Sequence, residues 1–312
     1  MTTRNLSRWT VALTLILVAV GGFTRGSGSG FGCADRWPLC QDGLLGGILP
    51  RADFHMIVEW SHRWLAGLVG ILAVATAVVA WRRAKRWIAW TAISGVLVIG
   101  VQAWVGRQVV VGNLDADLVT LHLVISMTVA ALLTVVVVAT TETVGVQQDR
   151  AWMYRFGLGA LVAFTVLVLG SLVHNIYIPG WPLVSNELFP NLSNRYVALH
   201  FFHRVAAGGG FIFLGWLAMR TRRDQRPGLE QWAVWIALGA YTLNVGLGTS
   251  HVLTKVTWSG LVLAHLGAAS VVWVAMVGAT VSAAGIGSSP SADRSSGDTR
   301  SAPRNKTEHQ SV

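Results

Sequence analysis

The sequence predicts an all-α integral membrane protein of eight transmembrane helices, arranged as two pseudo-symmetric four-helix bundles. Three observations carry this. Of the 312 residues, 53% are hydrophobic and only 12% charged, against about 25% charged in an average soluble domain. Apolar stretches of about 20 residues, the length that crosses a bilayer, recur along the chain. The motifs of the first half then return in the second.

The spans fall at about 9–24, 56–80, 87–106, 118–140, 156–174, 197–219, 230–250 and 258–284. Each must be a helix, because backbone N–H and C=O groups in hydrocarbon have no water to bond. The first is short, and Arg4 and Arg8 ahead of it give the outline of a secretory leader. The stretch Gly26 to Gly30 holds no Ala-x-Ala site and the repeat needs this helix, so it counts as a span. From Gly285 the chain is rich in Ser, Gly, Asp and Arg and nearly free of apolar residues, so a disordered tail is expected. The chain thus divides into a bundle over 1–145, a bundle over 146–284 and a tail over 285–312.

The net charge of +10 is a topology signal. With the N-terminus inside, two thirds of the 24 Lys and Arg residues fall in segments 1–8, 81–86, 141–155, 220–229 and the tail, all on one side. That is the positive-inside bias, and it places both termini in the cytoplasm of a multi-pass cell-membrane protein. The implied partner of this charge is a lipid bilayer, and nucleic acid is excluded. Trp9, Trp37, Trp60, Trp81, Trp87 and Trp181 near span ends form the interfacial aromatic belt.

The repeat is read directly. Gly26-Ser27 returns as Gly170-Ser171 and Trp37-Pro38-Leu39 as Trp181-Pro182-Leu183, both at an offset of 144. His62-Arg63 returns as His203-Arg204 at 141, and His122 as His265 at 143. Four spans per half restore the starting side, so the halves are parallel units related by an axis along the membrane normal. They differ in two places. Cys33 and Cys40 map to Tyr177 and Val184, and Glu59 maps to His200.

His62, His122, His203 and His265 all lie a few residues below the outer ends of their spans. At about 1.5 Å per residue they share a depth of roughly 6–10 Å. An ionisable residue inside a span is costly and marks function. Two such histidines on facing helices of a four-helix unit are the usual means of holding haem iron. A hydrogen bond to a neighbouring helix explains one such histidine, but not two pairs repeated at one depth. Arg63 and Arg204 are placed for haem propionates or for snorkelling to headgroups. His200, one turn before His203, is placed to line the second pocket or bond a propionate. His55 in a loop, His174 and His251 at outer helix ends and His309 in the tail are interfacial or solvated.

Glu59 shares a helix face with His62. Its carboxylate has two roles open to it: proton transfer or charge stabilisation beside a haem, or pairing with Arg63, Arg25 or Arg107. Cys33 and Cys40 are the only cysteines. They lie in the first outer loop, on the side where disulfides persist, and their spacing around Pro38 can close a bridge. A structural staple and a redox-labile pair both fit. Zinc does not, since two thiols without clustered partners leave a tetrahedral site open.

Gly22-Phe23-Thr24-Arg25-Gly26-Ser27-Gly28-Ser29-Gly30, then Cys33 and Cys40 around Trp37-Pro38-Leu39, then Glu59-Trp60-Ser61-His62-Arg63, resemble the haem A synthase family over residues 9–284. The resemblance implies that haem O, a farnesylated substrate, is held in the first half between His62 and His122. It implies a haem b cofactor between His203 and His265. The implied reaction oxidises one ring methyl of haem O to a formyl, giving haem A for terminal oxidases, with Glu59 as the catalytic carboxylate. The haem O synthase is then a natural delivery partner. The second half lacks the cysteine pair found in many bacterial members. A non-catalytic dihaem b-type electron carrier accounts equally for four histidines and a duplication. It leaves unexplained why only one half carries Glu59 and the thiols.

Overall fold

The computed structural model describes residues 2–141, 143–144, 148–173, 176–255, 257–286 and 288–289. His174, His309 and the tail beyond residue 289 lie outside the described residues, so their expected roles stay expectations. Eight long helices follow in order: α1 (Thr3–Gly26), α2 (Phe54–Arg83), α3 (Arg86–Val111), α4 (Ala116–Ala139), α5 (Arg150–Val173), α6 (Arg195–Arg223), α7 (Gly228–Leu253) and α8 (Ser259–Ala283). Thr143–Val144 and Ser288–Ser289 add a two-residue parallel pairing.

Several helices outreach their apolar windows because caps and end charges extend them. Asp53 caps α2 through the Met56 N–H at 2.9 Å, Asp115 caps α4 through Leu118, and Asn194 caps α6 through Tyr196. Arg82 and Arg83 close α2, and Arg220, Arg222 and Arg223 close α6, where positive charge suits the helix dipole. His55, expected in a loop, lies in the first turn of α2 for the same reason: the Asp53 cap starts the helix ahead of it.

Seven of the eight helices are long and apolar enough to cross a membrane. The exception is α7. Its 26 residues suffice in length, but Trp232, Trp235, Tyr241 and Asn244 lower its mean hydropathy. The helix nevertheless packs between α6 and α8.

Within the first half α1 packs on α2 and α4, α2 on α3, and α3 on α4; within the second α5 packs on α6 and α8, α6 on α7, and α7 on α8. In that order α2 and α4 are diagonal partners, as are α6 and α8. The halves meet through α1, α4, α5 and α8. Gly22 and Gly26 of α1 make that contact close, since a Cβ on either would lie 2.9 Å from Leu266 or Val262 of α8. Small residues one turn apart let membrane helices approach this way. Trp273 of α8 donates to the Met127 carbonyl of α4 at 2.9 Å, and Thr120 and Ser171 share a 2.9 Å hydrogen bond between α4 and α5.

The end of the second half away from its histidines is locked by charge. Arg226 pairs with Glu230 at 2.8 Å and with Asp149 at 2.7 Å, and Glu230 is 0% exposed. The fully buried Glu230 thus has a guanidinium partner on one oxygen and the Ser282 hydroxyl at 3.3 Å on the other, while Asp149 is part-exposed to solvent.

Candidate functional site

The first outer loop is held down by side chains of α2. Arg63 Nη1 donates to the carbonyl oxygens of Arg36 at 2.8 Å, Leu39 at 3.0 Å and Pro38 at 3.5 Å. Its Nη2 is ion-paired with Glu59 Oε1. The other carboxylate oxygen of Glu59 accepts the Cys33 backbone N–H at 2.7 Å. Trp60 Nε1 donates to the Ile48 carbonyl at 2.8 Å. Cys33 and Cys40 form a disulfide, buried with Met56 and flanked by Trp60. Its cysteines are 0% and 1% exposed, so the bridge is shielded although its loop is on the surface. Gly32 makes the seating feasible, since any Cβ there would strike the His55 carbonyl. His55 itself is bonded to Ser29 at 3.0 Å.

The second outer loop repeats the clamp. Arg204 Nη1 donates to the Gly180 carbonyl at 2.6 Å and to that of Leu183, and Nη2 to Ile178 at 3.3 Å. Gly180 and Leu183 stand 144 residues after Arg36 and Leu39, so the same two carbonyls are gripped in both halves. Trp37-Pro38 and Trp181-Pro182 are both cis. His200 Nε2 lies 2.9 Å from the Ile176 carbonyl, to which it can only donate. At the offset of 144, the Ile176–Tyr177 peptide corresponds to Gly32–Cys33. Glu59 and His200 therefore hold the same peptide group, one by its N–H and the other by its C=O.

Below these loops lie the four histidines, one each on α2, α4, α6 and α8. The Nδ1 atoms of His62 and His122 are buried with no hydrogen-bond partner among the described residues, and the two side chains are near enough to interact electrostatically. His203 Nδ1 lies 3.1 Å from the Val166 carbonyl of α5. Each ring edge meets a glycine of the preceding helix. A Cβ on Gly21, Gly106, Gly170 or Gly248 would lie 3.1, 2.9, 3.0 or 3.3 Å from Cε1 of His62, His122, His203 or His265.

The donor set suits haem. No group of three or more His, Cys, Asp or Glu that could hold a metal ion occurs among the described residues. A metal that brings four in-plane nitrogens of its own needs only two axial imidazoles, and each half offers one pair on diagonal helices. Glycines leave all four rings room beside the neighbouring helices, and in His203, whose Nδ1 faces the Val166 carbonyl, Nε2 is the nitrogen such a metal would take.

Three features escaped the sequence reading. The glycines are one. Another is a pair of buried amides: Gln102 donates to the His122 carbonyl at 2.9 Å, and Gln102 Oε1 and Asn244 Oδ1 have no partner among the described residues. They are 142 residues apart, as Gly106 and Gly248 are, and that shared offset was the available signal. The third is His251, expected at an interface apart from the sites. Its ring stands edge-on to His265, 5.4 Å between centroids, because the short α7–α8 connection folds one helix end onto the other.

A polytopic helical membrane protein with two pairs of intramembrane histidines beneath matched outer loops defines the class. Residues 48–277 match the COX15-CtaA family, described as a cytochrome oxidase assembly protein, and the chain belongs to it. It is 31% identical over 296 residues to a protein named Heme A synthase from Symbiobacterium thermophilum, covering 86% of this chain and 93% of that one. A Heme A synthase from Alkalihalophilus pseudofirmus is 29% identical over 256 residues, covering 77% and 84%. One from Bacillus licheniformis is 26% identical over 274 residues, covering 82% and 87%. The family that the first-half motifs resemble is thus the family to which the chain belongs.

Proposed function

We propose that the chain is a haem A synthase that oxidises one ring methyl of haem O to a formyl. The observation that carries this reading is the asymmetry between otherwise matched halves. Both present two histidines beneath an arginine-clamped loop, but among the described residues only the first pairs its clamping arginine with a carboxylate of the same helix and closes its loop with a disulfide. Residues 1–145 form the bundle that takes haem O between His62 and His122. Residues 146–284 form the bundle that takes haem b between His203 and His265. The two are pseudo-symmetric, with both termini cytoplasmic, and haem O reaches the first from the haem O synthase within the bilayer.

Haem b supplies one-electron transfer when bound. The rest falls to the chain's own groups. His62 and His122 hold the substrate iron, which sets the depth and tilt of the ring. Glu59, one turn from His62, is the catalytic carboxylate. The net change, a methyl and a water to a formyl, four protons and four electrons, requires an electron acceptor outside the chain. A carboxylate at the rim can accept such protons and stabilise positive charge developing on the carbon. Arg63 and the Cys33 N–H keep that carboxylate in place. A guanidinium has five N–H donors, so the loop bonds leave Arg63 and Arg204 donors for propionates.

The test is expression with a source of haem O and chromatography of the extracted haems. Haem A is expected from the intact chain. Glu59→Gln keeps an acceptor for the Cys33 amide but loses the charge, and should lower the yield by about 10²–10⁴. His200→Gln should leave haem A formation within a few-fold. Two b haems and no conversion of haem O in the intact chain would instead establish a non-catalytic electron carrier.

A further inference from the structure

On the reading of the four histidines as haem ligands, we propose that Gly21, Gly106, Gly170 and Gly248 are positioning residues for His62, His122, His203 and His265. Each glycine belongs to the helix that precedes its histidine's helix: α1, α3, α5 and α7 serve α2, α4, α6 and α8. In all four cases the ring atom at the glycine is Cε1, the carbon between the two nitrogens. Carbon atoms pack best at about 3.5–4.0 Å, whereas a Cβ at these glycines would stand 2.9 to 3.3 Å from Cε1. A methyl at any of them must move the ring.

His203 shows what the close approach achieves. Its Nδ1 is 3.1 Å from the carbonyl oxygen of Val166, which lies one turn before Gly170 on the same helix. A carbonyl only accepts, so Nδ1 carries the proton and Nε2 keeps its lone pair for a metal. The partner of the second ring nitrogen sets the tautomer and orientation of a ligating histidine. The missing side chain at Gly170 lets the imidazole come down onto the helix backbone far enough to make that bond. Leu17 and Gln102 stand one turn before Gly21 and Gly106, as Val166 does before Gly170, but Nδ1 of His62 and of His122 makes no such bond among the described residues; there the glycine contact alone places the ring.

The simplest competing account is that these glycines only ease helix packing. Other glycines on the same helices separate the two. Gly100 of α3 and Gly246 of α7 would place a Cβ in open space, with nothing within 4 Å. An alanine there gains helix propensity without touching a ring.

The experiment uses the full chain purified with its haem. Haem b content, low-spin spectrum and midpoint potential are measured for Gly170→Ala, Gly248→Ala, Gly100→Ala, Gly246→Ala and His203→Ala. Gly170→Ala should weaken haem b retention by about 10-fold or more, the scale of losing an outer partner of a ligating histidine. Gly248→Ala, where the contact is widest, should keep its haem with a shifted spectrum and potential. Gly100→Ala and Gly246→Ala should match the unmodified chain. Should Gly170→Ala fail to fold, Gly248→Ala against Gly246→Ala on the same helix decides. Unmodified retention, spectrum and potential in Gly170→Ala and Gly248→Ala would overturn the positioning role. If His203→Ala loses haem b while those variants do not, only the positioning role fails. If His203→Ala keeps haem b, the ligand reading fails with it.

Discussion

In the first outer loop Arg63 grips the carbonyls of Arg36 and Leu39, and in the second Arg204 grips those of Gly180 and Leu183, at the same repeat positions. Beside each arginine one side chain of the same helix ties down one peptide group, Glu59 by its N–H and His200 by its C=O. Main-chain recognition of this kind is indifferent to the side chains of the loop, so a duplicated frame survives while its residues diverge. Cys40 corresponds to Val184, which is buried to the same degree at 2% exposed. The second loop keeps its clamp without thiols, so the clamp does not require a disulfide. What differs between the halves is the chemistry at positions 59 and 200, where a carboxylate in one becomes an imidazole in the other.

The sharpest way to break this comparison is to remove one histidine from each half. His203→Ala should lose the haem b spectrum altogether, whereas His62→Ala should keep it and make no haem A. Equal spectral losses in both would mean that the halves do not hold separate haems. A smaller effect tests the shared frame. Arg63→Ala and Arg204→Ala should each lower thermal stability by on the order of 3 kcal/mol, since hydrogen bonds to a charged group contribute about 1.5–3 kcal/mol and their acceptors are left unpaired. Thermal unfolding of the two variants in the same detergent checks whether the losses match. The smallest expected effect comes from replacing Cys33 and Cys40 together by alanine. Closing so short a loop is worth about 2–3 kcal/mol in the chain-entropy account. Haem A formation that persists in this variant assigns the bridge a structural role. Its loss from a folded protein, with haem b retained, assigns a redox one.

Much of the architecture was legible in the sequence. The hydropathy windows located all eight helices, although α7 falls short by composition because of its Trp, Tyr and Asn residues. The repeat singled out His62, His122, His203 and His265 from the nine histidines of the chain. The partners of Arg63 and Arg204 were not legible. They are main-chain carbonyls some two dozen residues away, and a carbonyl leaves no mark on the sequence. The seats of the histidine rings were hidden for a different reason. With 34 glycines in the chain, the four that meet a ring stand out only once the helices are placed. His251 lies at a helix end, so its contact with His265 shows only once α7 and α8 are packed together.

Hydrocarbon admits few kinds of backbone, and a duplicated chain announces its own correspondences. The number and places of the long helices therefore follow from residue order and hydropathy alone. Which of the nearby arginines pairs with Glu59 needed three dimensions. Its carboxylate is shared between Arg63 and the Cys33 amide, and only the folded loop brings that amide to it. The same holds for the glycines beneath the imidazoles, because contact between helices depends on their rotation and separation. Those are settled by side-chain packing across the whole bundle, which no local stretch of sequence contains.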